Sequence, residues 1–312
     1  MGVIGAVGTT ALTVVKLLEY NFKIVGVLGH EPNNELNVSG LYDLKQLCSS
    51  NGVSYKGYIK INDTGSKRWM KDKMPDIIFA VGFSQMLDAS WLKMPKYGCV
   101  GFHPTQLPEG RGRAPLAWLI LDKKDGAATF FKMGDGMDDG PIYVQKKFKV
   151  EDEDDVETLI PKLHNAASNA LDSWLPRLKS HDLSAYVQDP LRATYYGKRL
   201  PIDGQINWHH NASDIIRLIK ASTRPYPGAF TCLKGTIIKI WKAELIKDYN
   251  WKGVVGRVLY VDENSFIVQC GLNHIKVLQF TSVDELQISV NSTFTVIQNQ
   301  DVLEINKLIL KS

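Results

Sequence analysis

The 312-residue sequence predicts an α/β fold, a doubly wound and mostly parallel sheet, followed by a small C-terminal β-barrel of OB-like type. Three patterns carry that expectation. Strand-length apolar runs alternate with helical stretches through the first third of the chain, as strand–helix–strand units require. One long helical stretch with an apolar face follows, and short strands broken by turn residues then recur towards the C-terminus.

Residues 2–30 read as strand, glycine turn, helix and strand, with Gly5 and Gly8 in the turn, Thr9 or Thr10 as cap, and Leu12, Val15, Leu17 and Leu18 as the apolar stripe. The second strand is expected over 22–28, and further strands over 76–82 and 98–103, separated by helices over 41–50, 66–74 and 89–94. A helix over 113–121 leads to two strand-like stretches, 127–133 and 141–150. Asp154 and Asp155 then introduce a helix whose face is Leu159, Leu163, Ala167, Ala170, Leu171 and Trp174, with Pro161 inside its first turns. Glycine, proline and charge over 195–204 suggest a linker, 211–221 a capped helix, and Arg224-Pro225-Tyr226-Pro227-Gly228 its end. Strands are expected over 236–246, 253–261, 265–270 and 274–280, with turns at 262–264 and 271–273. The expected division is a catalytic domain over 1–190, a linker with one helix over 191–234, and the barrel over 235–312.

With 44% apolar and 22% charged residues and a net charge of only +4, the composition is that of a globular protein with room for two cores. No apolar run approaches the roughly 20 residues of a membrane span. The start Met1-Gly2-Val3-Ile4-Gly5 lacks the basic opening of a secretory signal, so a cytoplasmic protein is expected. Cys48, Cys99, Cys232 and Cys270 are far apart, which suits reduced structural thiols and no metal site. Gly5-x-x-Gly8 does not complete a dinucleotide fingerprint, and no acidic residue follows the second strand, so tight packing of the turn explains these glycines better.

Two segments carry chemistry. In 101–115, His103 ends an apolar strand and enters a loop rich in proline and glycine, where open α/β sheets bind their ligands. In 137–142, Asp138-Asp139-Gly140 forms an acidic turn just before a strand, a pattern that a solvated turn would also produce. Together they resemble the formyltransferases that use 10-formyltetrahydrofolate. That family carries Asn-x-His-Pro-Ser-Leu-Leu-Pro, an Arg-Gly-x-x-Pro-like stretch, and Asp-x-Gly at a spacing close to the 35 positions separating His103 from Asp138. Arg111-Gly112-Arg113-Ala114-Pro115 matches the intervening loop, and 203–208, 225–230 and 241–244 extend the likeness over nearly the whole chain.

The resemblance implies a Rossmann-like catalytic domain in which His103 accepts a proton from the attacking amine or, protonated, binds the oxyanion, with Asp138 orienting and balancing the imidazole. The family's asparagine two positions before the histidine is Gly101 here. The expected replacements for its amide are Gln85, Ser84 or Gln106, and the alternatives are a weaker enzyme or a chain that binds without turnover. The resemblance places the pterin of the folate co-substrate beside Phe83, Met86 and Leu87 and the loop Gly134, Asp135 and Gly136, with Phe83 and Met86 equally suited to a core.

Among the acceptors used by the family, a purine precursor is disfavoured by the region after residue 200. Methionyl-tRNA is disfavoured by charge: 30–63 holds three lysines against four acidic residues, and 248–312 five basic against seven acidic ones. The remaining expectation is a nucleotide-linked amino-deoxy sugar used for surface polysaccharide such as lipopolysaccharide O-antigen, with no nucleic-acid or membrane partner. Its diphosphate would be held by Arg111, Arg113, Lys198, Arg199 or Arg224. A homodimer fits the relatives that act on sugars. Methionyl-tRNA formylation, folate hydrolysis and binding without catalysis stay open as alternatives.

Overall fold

The computed structural model describes residues 1–33, 39–247, 250–282, 287–297 and 302–311. Of the acidic residues in the charge comparison, Glu35, Asp248, Asp284, Glu285 and Asp301 lie outside the described residues. The chain divides into two compact units: 1–115, 124–150 and 160–197 form the first, and 116–123, 151–159 and 198–312 the second.

The first half runs β1 (Gly2–Gly5), α1 (Gly8–Glu19), β2 (Gly26–His30), α2 (Leu44–Ser50), β3 (Tyr55–Tyr58), α3 (Thr64–Asp72), β4 (Ile78–Ala80), α4 (Ala89–Leu92) and β5 (Cys99–His103). It continues through β6 (Arg111–Gly112), α5 (Pro115–Asp122), β7 (Gly126–Lys132), β8 (Ile142–Phe148), α6 (Val156–Lys179) and β9 (Tyr195–Tyr196). The sheet order is β3-β2-β1-β4-β5-β7-β8, parallel as far as β5 and antiparallel for β7 and β8. From β1 the chain winds outward to β3 and then restarts beside β1 with β4, so the winding direction reverses between β1 and β4. This is the doubly wound arrangement, and in open α/β sheets of this kind ligands bind at the carboxyl ends of the strands where the winding reverses.

Local chemistry explains the helix starts. Asp43, Asp63 and Asp88 accept the N–H groups of Gln46, Ser66 and Ser90 at 2.8, 2.7 and 3.0 Å, capping α2, α3 and α4. Ahead of α1, the Thr10 hydroxyl accepts from Ala6 and Val7 at 3.1 and 3.3 Å and donates to the Val81 carbonyl at 2.6 Å. A Cβ on Gly5 would lie 2.2 Å from both Thr10 Oγ1 and Val81 O, so close packing is what Gly5 supplies. The predicted face of α6 is buried throughout. Trp174 on it stacks on Tyr143 at 4.7 Å and meets Phe79 and Phe130 at 5.8 and 6.2 Å.

In the second unit, α7 (Ala212–Ser222) precedes β10 (Ala229–Leu233), β11 (Thr236–Ile246), β12 (Val258–Val261), β13 (Phe266–Gln269), β14 (His274–Ser282) and α8 (Val302–Lys311). The five strands form an antiparallel sheet in the order β10-β11-β14-β13-β12. Its two edges are joined through Thr293 and Thr295, which bridge to Arg257 and Cys232, and this closes the barrel. Trp208, Phe266 and Phe294 fill its core with Ile215 and Ile219 of α7.

Several elements differ from expectation. β10 falls within the stretch read as linker, β2 starts at Gly26 rather than at Phe22, and β12 starts at Val258 rather than at Gly253. β3 and α8 had no counterpart in the sequence reading. The four cysteines are free and buried, and burial pushes the Cys99 and Cys270 thiols up to about 12. No helix among the described residues is long and apolar enough to cross a membrane.

Candidate active site

His103 is the last residue of β5, one strand beyond the reversal of the sheet, and Phe102 beneath it packs on Phe130 at 4.9 Å. The imidazole is 5% exposed. Its Nδ1 faces Asp138 Oδ2 at 3.6 Å, an ion-pair distance slightly too long for a hydrogen bond. Its Nε2 lies 2.8 Å from the Gly110 carbonyl oxygen. A carbonyl can only accept, so in this contact Nε2 is the protonated, donating nitrogen, and the Asp138 carboxylate faces the other ring nitrogen.

The loop that presents Gly110 is fixed along its length. Thr129 Oγ1 donates to Thr105 O at 2.8 Å, Gln145 Nε2 to Leu107 O at 3.2 Å, and Gly110 N–H to Thr194 Oγ1 at 2.8 Å. Asp138 has φ +50, which non-glycine residues seldom adopt. Its Oδ2 accepts the Gly112 N–H at 2.9 Å. Gly112 has φ +112, and a Cβ there would strike Tyr196 O at 2.3 Å, so the parallel pairing of β6 with β9 depends on glycine at this point.

Gly101 pairs directly with Phe131 across β5 and β7. A Cβ on Gly101 would meet the Phe131 ring at 2.6 Å and Met133 Cγ at 3.0 Å. The space next to Gly101 that a side chain would enter is therefore occupied by the buried Phe131 ring and the partly buried Met133.

The polar residues expected to replace an amide at position 101 are differently engaged. Gln85 donates to the Ile59 carbonyl at 2.7 Å and accepts the Ile61 N–H at 2.9 Å, with its amide 3.3 Å from His30 Nε2. Burial pulls the His30 imidazole below its ordinary value. Gln106 donates to the Asp125 carbonyl at 3.1 Å. Ser84 is exposed, and its hydroxyl has no hydrogen-bond partner among the described residues.

Phe83 and Leu87 pack in or against the core that holds Trp91, whereas Met86 is 77% exposed. Gly134, Asp135 and Gly136 are exposed in the loop before Asp138. Arg113 is exposed and makes no ion pair among the described residues. Arg111 is instead buried and bonded to Gln188 and Tyr195. In the second unit, Arg224 is exposed and stacks on Trp241 at 4.2 Å, and Arg199 lies 5.4 Å over Trp118. Gln188 and Phe131 escaped the sequence reading: a glutamine in a polar segment and a phenylalanine in a strand carry no signal before the register is known.

Residues 45–175 match the family model described as formyl transferase, and 200–296 match that of the formyl transferase C-terminal domain. A methionyl-tRNA formyltransferase from Caldanaerobacter subterraneus subsp. tengcongensis is 32% identical over 211 residues, 67% of each chain. The chain belongs to the formyltransferase family. It is also 28% identical over 274 residues to a bifunctional polymyxin resistance protein ArnA from Wigglesworthia glossinidia brevipalpis, covering 86% of this chain and 41% of that longer protein. An N-formyltransferase from Helicobacter canadensis, solved in complex with folinic acid and dTDP-3-aminofucose, aligns with a TM-score of 0.65 over 90% of this chain and 98% of that one. At 16% identity this likeness is one of fold. Membership makes the protein a transferase, and the mostly parallel sheet with an antiparallel C-terminal domain is the family's architecture.

Proposed function

We propose that the protein transfers the formyl group of 10-formyltetrahydrofolate to the amine of a nucleotide-linked amino-deoxy sugar. The observation that carries this reading is the His103 ring at the carboxyl end of β5, set between Asp138 and the Gly110 carbonyl. As the amine attacks, a C–N bond forms and the formyl π pair moves to oxygen. His103, oriented by Asp138, turns its Nε2–H from Gly110 O to that oxyanion. Collapse then breaks the bond to N10 of the folate, and the proton lost by the attacking nitrogen ends on N10. Gly101 carries no amide side chain, so His103 is the principal oxyanion donor, with the Ser84 hydroxyl as a second. The pterin lies beside Phe83, Met86 and Leu87 and the loop Gly134, Asp135 and Gly136. Arg113, exposed in the first unit, is available to the diphosphate.

A sugar acceptor is supported by the acidic excess in 30–63 and 248–312 and by the sugar nucleotide bound in the Helicobacter relative. In this reading the product feeds a surface polysaccharide, and the enzyme is cytoplasmic and dimeric. Methionyl-tRNA is the second reading, favoured by the 32% identity to an enzyme of that name. Tetrahydrofolate release is to be followed with dTDP- and UDP-linked amino sugars and with methionyl-tRNA. Release dependent on a sugar nucleotide is expected. Release with tRNA alone, without any acceptor, or with none of the panel contradicts the proposal.

A further inference from the structure

Arg111 and Gln188 are each 5% exposed. The Gln188 carboxamide is fully used: Nε2 donates to the carbonyls of Asp138 and Gly140 at 2.8 and 2.7 Å, and Oε1 accepts from Arg111 Nη2 and Nε at 2.8 and 3.3 Å. A guanidinium only donates and a carbonyl only accepts, so the two neighbours fix the amide in one orientation. Arg111 also donates to the Tyr195 hydroxyl at 3.2 Å and makes no ion pair with a carboxylate among the described residues. Burying a cation against neutral partners is costly. What it secures here is the orientation of Gln188.

The same two-residue strand reaches Asp138 twice, through the Gly112 N–H on the carboxylate and through Arg111 and Gln188 on the backbone. Asp138 has φ +50 and depends on its surroundings to stay there. We propose that Gln188, clamped by Arg111, is a positioning residue that holds the backbone of 138–140 so that the Asp138 carboxylate stays against His103 Nδ1. The inference rests on His103 and Asp138 as the reacting pair.

Gln188→Glu tests it. The carboxylate retains a partner for Arg111 and nearly the same volume, yet it cannot donate to two carbonyls. The readout is the 15N resonance of His103 Nδ1 at one fixed pH, measured without folate or acceptor. Q188E is expected to move that resonance in the direction that Asp138→Asn moves it, and the double variant is expected to go no further than D138N alone, since the effect passes through Asp138. In turnover, kcat is expected to fall about tenfold or more while acceptor KM stays within about twofold. An unmoved Nδ1 resonance in folded Q188E, or a further shift in the double variant, overturns the proposal. Should Q188E fail to fold, Arg111→Lys loosens the clamp from the other side, and an unmoved resonance there overturns it equally. Because the resonance is read without substrates, its outcome is separate from the identity of the acceptor.

Discussion

Phe131 lies across the strand from Gly101, and its ring covers the space that a side chain at position 101 would fill. Gly101→Asn therefore overpacks this contact and is expected to cost about 1–3 kcal/mol in denaturant unfolding. Shortening the ring relieves the clash. Gly101→Asn with Phe131→Val is expected to be more stable than the sum of the single changes by about 0.5–3 kcal/mol, the coupling of directly touching residues. Simple additivity would show that the ring is not what excludes a side chain there. The sequence made His103 and Asp138 legible because both stand in recognisable segments at a recognisable spacing. It could not show that Gly101 faces Phe131, since this requires β7 to enter antiparallel in a register that no local pattern states. The burial of Arg111 was illegible for the same reason: Gln188 and Tyr195 arrive from 77 and 84 positions away.

At the level of elements, the three aspartate caps start α2, α3 and α4 at sites a sequence can announce, and the helices begin within three residues of expectation. Asp88 also pairs with Lys67, binding α4 to α3. The Lys67 ammonium, with the Ser90 hydroxyl and N–H, holds the Asp88 carboxyl at about 2, below its ordinary 3.8. A lowered folded-state value means stability that is present above 3.8 and lost as pH falls towards 2. Asp88→Asn is thus expected to give a shallower fall of Tm over that window, and thermal melts at stepped pH measure it. The elements that escaped prediction are short or terminal. The four residues of β3 have no apolar alternation, and β10 follows so closely on Pro225-Tyr226-Pro227-Gly228 that loop composition masks it.

Over the whole molecule, the second unit gains its closed form from Thr293 and Thr295, with Phe294 between them turned into the core against Trp208 at 5.5 Å. Phe294→Ala is expected to destabilise that unit by about 3–5 kcal/mol, read as the loss of its unfolding transition in denaturant. The cadence of short strands foretold a small barrel, but the closing segment is too short to register as a strand. The central claim is formyl transfer to an amino sugar at His103. Its most direct test is the single-turnover rate of formylated sugar nucleotide formation, measured by mass spectrometry for the natural chain and for His103→Ala. A fall of about 10²–10³-fold with folate binding retained is predicted. An unchanged rate, or formate released at the same rate without any sugar, would contradict the account.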